Sequence, residues 1–359
     1  MEEKKKASVL LKAALITVCV LLVCGGGVWF YVQHVLNKIE RIDKGSELQI
    51  PSEFAKFLLS VDDEAEDCDP WAEPADDSIA WTELGPEVDN TFREPFLNNK
   101  NVHLVQDANI TNILLIGCDS RDYSMRGRSD SIIILSINRY TGALDLISIL
   151  RDTYVQIPGY ENNKINASYA FGGVSLLDRT IEHNFGIHID HNVCINFDGF
   201  INAFVQIGNI DIQINQAEAD YLNYESPGAF MLTEGVNSLN PEQALSYARM
   251  RYVGNADWER TSRQRRVLMT AFNKCRTSGL SSMLSLADSI VPFVSTDMSN
   301  AQIVSLVSEV INAGMSISVM RGFPEPGMYQ GTMIKGMSAL IPDLDLISRT
   351  IHQILYGVD

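Results

Sequence analysis

The chain has 359 residues, of which 46% are apolar and 20% are charged, so it is long enough for one large folded domain or two ordinary ones and is not a disordered tail. Its 45 acidic and 28 basic residues give a net charge of -17. This charge excludes sequence-independent nucleic-acid binding, which requires a basic surface. Any bound anion must therefore meet a local cluster of cations.

An uncharged apolar segment lies near the N-terminus. Residues 13–32 have about the length of a helix that crosses the hydrocarbon core of a bilayer. Lysines precede the segment, and Trp29, Phe30 and Tyr31 lie at its far end. This pattern predicts a cytoplasmic tail of residues 1–12, a single membrane span and an extracellular remainder. A cleaved signal peptide is the alternative, but the apolar stretch is long for one and no small-residue cleavage site follows it.

Residues 33–100 connect the apolar segment to the rest of the chain. Their first part has the pattern of a helical stalk, whereas residues 62–95 are acidic, contain proline and are poor in aliphatic residues. We expect an extracellular stalk followed by an acidic linker. From residue 101 to residue 359 the pattern is that of one continuous domain. The 6 cysteines of the chain show no CxxC spacing, which predicts reduced or singly packed thiols.

Strand and helix patterns alternate within this domain. The runs NILLIG, SIIILSIN and DLISIL are short and rich in β-branched residues, so they predict strands that are buried on both faces. The later elements are predicted as a helix ending at Gly186, a strand over 193–200, a helix over 200–209, a strand over 211–214, a helix after Asn240, a helix over 260–276 and two helices between 280 and 314. The predicted fold class is α/β (α+β), with a central mixed β-sheet flanked by helices and preceded by one N-terminal transmembrane helix.

Charged side chains gather where these strands end. Those at the first three strands are Asp119, Arg121, Arg128, Asp130, Arg151 and Asp152. Two later segments add Arg249, Arg251, Arg260, Arg263, Gln264, Arg265 and Arg266. Ligands in such folds bind outside the strand ends, which favours one shared site. The alternative for each residue alone is a surface ion pair of little energetic value.

The residue types of this charged set indicate a site that binds phosphate groups. The planar guanidinium group of arginine binds phosphate oxygens in pairs and stays charged, so several arginines with a glutamine suit a pyrophosphate. Two nearby carboxylates suit Mg²⁺, which completes its shell with water and substrate phosphates. Phosphoryl transfer requires mainly positioning and charge neutralisation. No GxSxG elbow is present and the histidines lie outside the charged motifs, which argues against a covalent hydrolase.

The charged motifs resemble those of a known family. NILLIGCDSR, GRSDSIIILSIN, LISILRDTYVQIPG, NKINASYAFGG, LNPEQALSYARMRY and DWERTSRQRR follow one another as in the LytR-CpsA-Psr proteins of Gram-positive bacteria, over roughly residues 109–275. The resemblance implies a cell-wall phosphotransferase. Such an enzyme moves a glycopolymer, such as teichoic acid or a capsular or other wall polysaccharide, from an undecaprenyl-pyrophosphate carrier to peptidoglycan through a phosphodiester, with Mg²⁺ as cofactor.

The same resemblance assigns roles position by position. It implies that Asp119 and Asp130 hold the metal. From charge alone, either Asp119 or Asp152 is the candidate that takes the proton of the acceptor hydroxyl, and the sequence does not choose between them. The phosphate-binding set would be Arg128, Arg151, Arg249, Arg251, Arg260 and Gln264, with Arg121 and Lys164 at the rim. The family also encloses the polyprenyl chain in an apolar tunnel between sheet and helices. The aliphatic runs of this chain fit either such a tunnel or an ordinary core.

Two other functions remain open on the residues alone. One is a membrane-anchored regulator or sensor that binds polyprenyl phosphates without turnover, although capture alone does not require the Asp119 and Asp130 pair. The other is a pyrophosphatase that acts on the same lipid. One departure from the family pattern is Pro241, which replaces a usual glycine at a position where a helix start tolerates proline. Residues 62–95 and 276–359 lie outside the motifs, and the sequence assigns them no function.

Overall fold

The protein is described by a computed structural model, which covers residues 31–45, 97–99, 102–118, 128–228, 230–251, 253–254, 256–277, 288 and 291–358. Almost all of the apolar segment and the whole acidic linker lie outside these ranges. Within them, no helix combines the length and the apolar character that crossing a membrane requires. The membrane span therefore stays a prediction.

Short and long strands alternate with helices along the described chain. The strands are β1 (Glu40–Arg41), β2 (Ile110–Cys118), β3 (Ser129–Asn138), β4 (Ala143–Ile149), β5 (Tyr154–Val155), β6 (Asn163–Lys164), β7 (His191–Asn196), β8 (Ile210–Ile214), β9 (Gly235–Leu239), β10 (Val294–Thr296), β11 (Ser316–Phe323), β12 (Tyr329–Ile334) and β13 (Met337–Pro342). The helices are α1 (Ile165–Phe185), α2 (Phe197–Ile207), α3 (Gln216–Glu225), α4 (Pro241–Arg249), α5 (Ala256–Thr277), α6 (Asn300–Asn312) and α7 (Leu344–Tyr356).

A mixed sheet with the strand order β1-β10-β7-β2-β3-β4-β11 forms the centre of the molecule. The neighbours β2, β3 and β4 are antiparallel, whereas β7 is parallel to β2 and β11 is parallel to β4. The mixed sheet flanked by helices confirms the predicted architecture. Because of these directions, the ends of β2, β4 and β7 and the start of β3 all lie at one edge of the sheet.

Each face of the sheet is covered by a different pair of helices. Helices α1 and α7 pack on one face, where Leu114 and Ile134 are fully buried. Helices α5 and α6 pack on the other, around Ile113 and Ile137. A separate core joins α2, α3, α4 and α5 to the antiparallel pair of β8 and β9. Alternating side chains of β2 and β3 thus enter different cores, which explains why these strands are apolar on both faces.

Local capping determines two helix starts, one of which corrects a prediction. The Asn240 side chain accepts a hydrogen bond from Gln243 N at 2.9 Å and starts α4, as predicted. The prediction of a strand over 193–200 is wrong beyond Asn196, because this residue accepts a hydrogen bond from Gly199 N at 2.9 Å and starts α2. Between 280 and 314, the described residues form β10 and the helix α6.

Residues 31–45, the beginning of the predicted stalk, pack directly on this domain. Strand β1 pairs with β10, and Val35 and Leu36 are buried against Val291. The Lys44 ammonium lies 2.7 Å from one oxygen of Asp178 on α1 and 3.0 Å from Asp297. The chain is therefore attached to the domain immediately after the predicted membrane segment.

This attachment gives a testable dependence of stability on pH. Burial raises the pKa of Asp178 to about 6, against the opposing attraction of Lys44. The native state thus keeps a proton between roughly pH 4 and 6 that the unfolded chain has lost, so the contribution of Asp178 to stability decreases as pH rises through this interval. We expect the stability of Asp178→Asn relative to the unmodified chain to increase by about 2 kcal/mol from pH 4 to 6. Chemical unfolding of the full chain at both pH values measures it, and a pH-independent difference would contradict the assignment.

Candidate functional site

Several of the predicted charged residues that the structure describes meet at the sheet edge where β2 and β4 end and β3 begins. Asp130 is the second residue of β3, and Arg151 follows β4 by two positions. Because β3 and β4 are antiparallel, the two side chains face each other, and Arg151 Nη1 lies 2.8 Å from Asp130 Oδ1. Arg128 is half-buried and directly precedes the same strand. Residues distant in the sequence thus form one cluster, as predicted.

The last turns of α4 and the first turns of α5 add cations to this cluster. Arg251 Nη2 lies 3.7 Å from Asp130 Oδ1, and Arg260 is buried with 2% of its surface exposed. Burial alone would raise the pKa of Asp130, but the charges of Arg151, Arg260 and Arg251 outweigh it and hold the pKa below its usual range. The Asp130 carboxylate is therefore ionised within a group of guanidinium ions.

Two further charges lie at the rim of the cluster. Lys164 Nζ on β6 is 3.1 Å from Asp152 Oδ1, and Asp152 Oδ2 is 3.8 Å from Arg151 Nε. Lys164, Asp152, Arg151 and Asp130 thus form a row of ion pairs. All four side chains are mostly buried, with 11% to 22% of their surface exposed. The row gives Asp152 a fixed position beside the phosphate-binding candidates.

An apolar channel begins at this charged cluster. A cavity of about 330 Å³ is lined by Asp130, Arg249 and Gln264 at its polar end. Its other walls are apolar and include Leu115, Ile133, Phe200, Leu245 and Leu268. A second cavity of about 380 Å³, between the sheet and helices α5 and α6, shares Leu115 and Leu268 with the first. The two cavities therefore follow one another along the strands, from the charged edge toward the opposite edge.

One face of α5 forms a wall of both cavities, a feature that the sequence interpretation missed. Arg260, Gln264, Leu268 and Phe272 are spaced by four residues, so they share this face of the helix. The face changes from charged to apolar along its length, as the channel does. The spacing is visible in the sequence and is the signal by which the lining could have been found.

The other arginines of α5 have structural positions. The fully buried Arg263 pairs with Glu218 at 2.7 Å and donates to Met250 O at 3.0 Å and Val253 O at 2.6 Å. Arg265 lies against Gly322 of β11. Arg266 donates to the Tyr247 hydroxyl at 2.5 Å. By binding carbonyls on both sides of Arg251, Arg263 holds that residue toward Asp130.

The metal prediction rests partly on residues that the structure does not describe. Asp119 and Arg121 lie outside the described ranges. Elsewhere in the described chain, no group of three or more histidine, cysteine or carboxylate side chains has the arrangement of a metal site. Asp130 fits a Mg²⁺ ligand in charge and donor type, since it is ionised and lies at the polar end of the cavity.

Sequence comparison identifies a family and named relatives. The model of the LytR_cpsA_psr family matches residues 87–352. A polyisoprenyl-teichoic acid–peptidoglycan teichoic acid transferase TagU from Oceanobacillus iheyensis is 33% identical over 257 residues, which cover 67% of this chain and 78% of the relative. The protein of the same name from Halalkalibacterium halodurans is 31% identical over 240 residues, which cover 66% and 75%.

Solved structures show the same fold. The crystal structure of B. subtilis TagT is 22% identical, with a TM-score of 0.56 over 74% of this chain and 96% of that one. A LytR-CPS2A-psr family protein, YwtF (TagT), with bound octaprenyl pyrophosphate lipid is 21% identical, with a TM-score of 0.55 over 74% of this chain and all of that one. At these identities the likeness establishes the architecture, including the mixed sheet.

Proposed function

Because the chain belongs to the LytR-CpsA-Psr family, we propose that it is a phosphotransferase that moves a wall glycopolymer from an undecaprenyl-pyrophosphate carrier to peptidoglycan. The relatives named as teichoic acid transferases support this reaction class. The relative with bound octaprenyl pyrophosphate supports a polyprenyl carrier.

One observation of this structure carries the proposal. The charged cluster around Asp130 opens directly into an apolar channel that extends along the sheet. A pyrophosphate requires several cations, and a polyprenyl chain requires an apolar enclosure. A ligand with both parts fits this site better than a free nucleotide or sugar phosphate, which would leave the channel unfilled.

The side chains of the edge have complementary roles in the proposed reaction. Arg151, Arg251 and Arg260 bind the two phosphates and offset the charge that develops between them. The acceptor hydroxyl attacks the phosphorus on the glycan side, the bond from that phosphorus to the bridging oxygen breaks, and polyprenyl monophosphate leaves. The hydroxyl proton passes to a carboxylate of the same edge, for which Asp152 is the candidate held in place by Lys164.

Mg²⁺ completes the proposed site. Asp130 and Asp119 would hold the ion, which supplies positive charge for the pyrophosphate oxygens when bound. The role of Asp130 in the protein itself is to stay ionised and to orient Arg151 and Arg251. Both roles require an ionised carboxyl group, which the surrounding guanidinium charges favour by lowering its pKa.

We further propose that the catalytic domain is extracellular. Its N-terminal side would be anchored by the single span over residues 13–32, with residues 1–12 in the cytoplasm. The lysines before the apolar segment and the aromatic residues at its far end support this orientation. In this arrangement the enzyme meets the lipid carrier and peptidoglycan on the same side of the membrane.

A reconstituted reaction tests the proposed activity. The full chain is incubated with Mg²⁺, a polyprenyl-pyrophosphate-linked oligosaccharide and peptidoglycan fragments, and the products are separated by mass. We expect oligosaccharide joined to peptidoglycan through a phosphodiester. Lipid binding without any product would instead indicate a sensor, and release of soluble oligosaccharide phosphate alone would indicate a pyrophosphatase.

Blocking the channel should separate lipid binding from phosphate binding. Leu268→Trp adds bulk where the two cavities meet, and overfilling a packed apolar site typically costs 1–3 kcal/mol. We expect affinity for polyprenyl pyrophosphate to fall by roughly 10- to 100-fold, while affinity for inorganic pyrophosphate is retained. Titration calorimetry with both ligands measures the difference. Val205→Trp on exposed α2 surface serves as the matched control, and equal effects of the two substitutions would refute the channel.

A further inference from the structure

Helix α6 covers the part of its sheet face that is farthest from the charged cluster. Its residues Leu306 and Val310 pack with Ile113 of β2, Ile137 of β3 and Leu144 of β4. These positions lie toward the start of β2, the end of β3 and the start of β4, which are the strand ends farthest from Asp130. The helix therefore borders the far end of the apolar channel.

The first turn of α6 is bonded to the chain that follows the apolar N-terminal segment. Asn300 Nδ2 donates to Gln33 Oε1 at 3.1 Å and to Asn37 Oδ1 at 2.6 Å. Ile303 and Val304 pack against the apolar cluster formed around Val35. Because the apolar segment ends at residue 32, α6 begins within about one helical turn of the proposed membrane span.

One flank of α6, next to the face that packs on the sheet, carries exposed apolar side chains. Val307 and Ile311 are four residues apart, so they share a face, and 48% and 49% of their surfaces are accessible. Both also line the second cavity, together with Arg276 near the end of α5. The acidic residue of this helix, Glu309, is engaged by Arg139, whose Nη2 donates to it at 3.0 Å. An apolar surface with a basic residue beside it thus surrounds the end of the channel.

We propose that this surface, formed by Val307, Ile311 and Arg276, rests on the lipid bilayer and that the gap between α5 and α6 admits the polyprenyl chain from it. The assignment of the chain that enters rests on the proposed function, and the membrane contact rests on the proposed membrane span. Residues 31–45 keep the domain against the bilayer, because β1 belongs to its sheet and Val35 and Leu36 are buried on it. The charged cluster then lies on the side away from the membrane, where it faces the peptidoglycan.

A bilayer is the occupant that the observations favour over a protein partner. The chain itself brings α6 to the end of an apolar segment of membrane-spanning length. Apolar side chains beside a cation are suited to the boundary between acyl chains and anionic headgroups. The exposed apolar residues also continue into a channel of the same character, so a lipid chain can pass from one to the other without crossing water.

Fluorescence quenching by lipids tests the contact without requiring turnover. The full chain carrying Ile311→Trp is reconstituted into vesicles of phosphatidylcholine and phosphatidylglycerol, with or without brominated acyl chains. Met333→Trp is the matched control, since Met333 is 60% exposed on the β12 and β13 hairpin, which meets the chain after β4 at the charged edge. After subtraction of the parent signal, we expect bromolipids to quench the tryptophan at 311 and not that at 333. Equal quenching at both positions would overturn the proposal.

A second comparison tests the entrance. In the double variant Val307→Ser, Ile311→Ser, we expect uptake of polyprenyl pyrophosphate from vesicles to slow by about tenfold, because apolar contact area with the bilayer is lost. Uptake from detergent micelles should slow by a clearly smaller factor, because the two side chains also line the channel. Equal slowing of uptake from vesicles and from micelles would show damage to the channel, and it would overturn the proposed entrance between α5 and α6. If the two tryptophan variants show the expected quenching pattern but the unmodified chain transfers no glycopolymer, the proposed function fails and the membrane contact stands.

Discussion

Arg151→Ala is expected to lower glycopolymer transfer by about 10²- to 10³-fold without unfolding the protein. Arg151 is the closest cation to Asp130, at 2.8 Å, and lies with Asp152 on its other side. Its removal takes away a phosphate-binding group and releases the orientation of both carboxylates. The rate of product formation by the full chain, with circular dichroism as a check of folding, measures the effect.

The same variant should change the pH dependence of transfer. Among the charges that lower the pKa of Asp130, that of Arg151 has the largest effect. Without it the carboxyl group holds its proton to higher pH, so the acid limb of kcat/KM should move upward. Arg139→Ala is the matched control. Arg139 directly follows β3, at the end of that strand opposite to Asp130, and it also forms an ion pair, with Glu309. If Arg151→Ala lowered the transfer rate no more than Arg139→Ala does, Arg151 would not belong to the site.

Arg263→Met is expected to be the most destabilising single change to an arginine of α5. It leaves the Glu218 carboxylate, which is 2% exposed, without its cation and deprives two backbone carbonyls of their donor. Removing one partner of a buried ion pair typically costs 3–5 kcal/mol, and we expect a loss of that order in the free energy of unfolding. Denaturant unfolding of the full chain measures it.

A surface pair provides the control for this substitution. Arg349 pairs with Asp345 one helical turn away, and 60% of its side-chain surface is exposed. Arg349→Met should change stability by less than about 1 kcal/mol, because solvent screens exposed pairs. If Arg263→Met cost as little as Arg349→Met, the buried pair would not be holding the segment that carries Arg251.

The central strands and the charged edge could be predicted because their signals are local. The β-branched runs that became β2, β3 and β4 are mostly apolar on both faces, and charged residues such as Asp130 and Arg151 flank them. The start of α4 was predicted from Asn240 and Pro241 for the same reason. Charges that flank adjacent strands at the same end of the sheet lie close together.

Other features depend on contacts between distant segments. Strands β1 and β10 have two and three residues, too few for a periodicity, and they exist because residues 40–41 and 294–296 pair with each other. The sequence also could not separate Arg260, which faces the site, from Arg263, which faces Glu218. Only the packing of α5 between the sheet and the second core decides which arginine is structural.

The fate of each phosphate tests the central claim most directly. The full chain is given peptidoglycan, Mg²⁺ and a polyprenyl-pyrophosphate-linked oligosaccharide that carries different phosphorus isotopes in its two phosphates. Our account predicts that the glycan-side phosphorus becomes covalently attached to peptidoglycan and that the lipid-side phosphorus is recovered as polyprenyl monophosphate. Recovery of both isotopes in intact lipid, or of the glycan-side isotope only in soluble oligosaccharide phosphate, would contradict it.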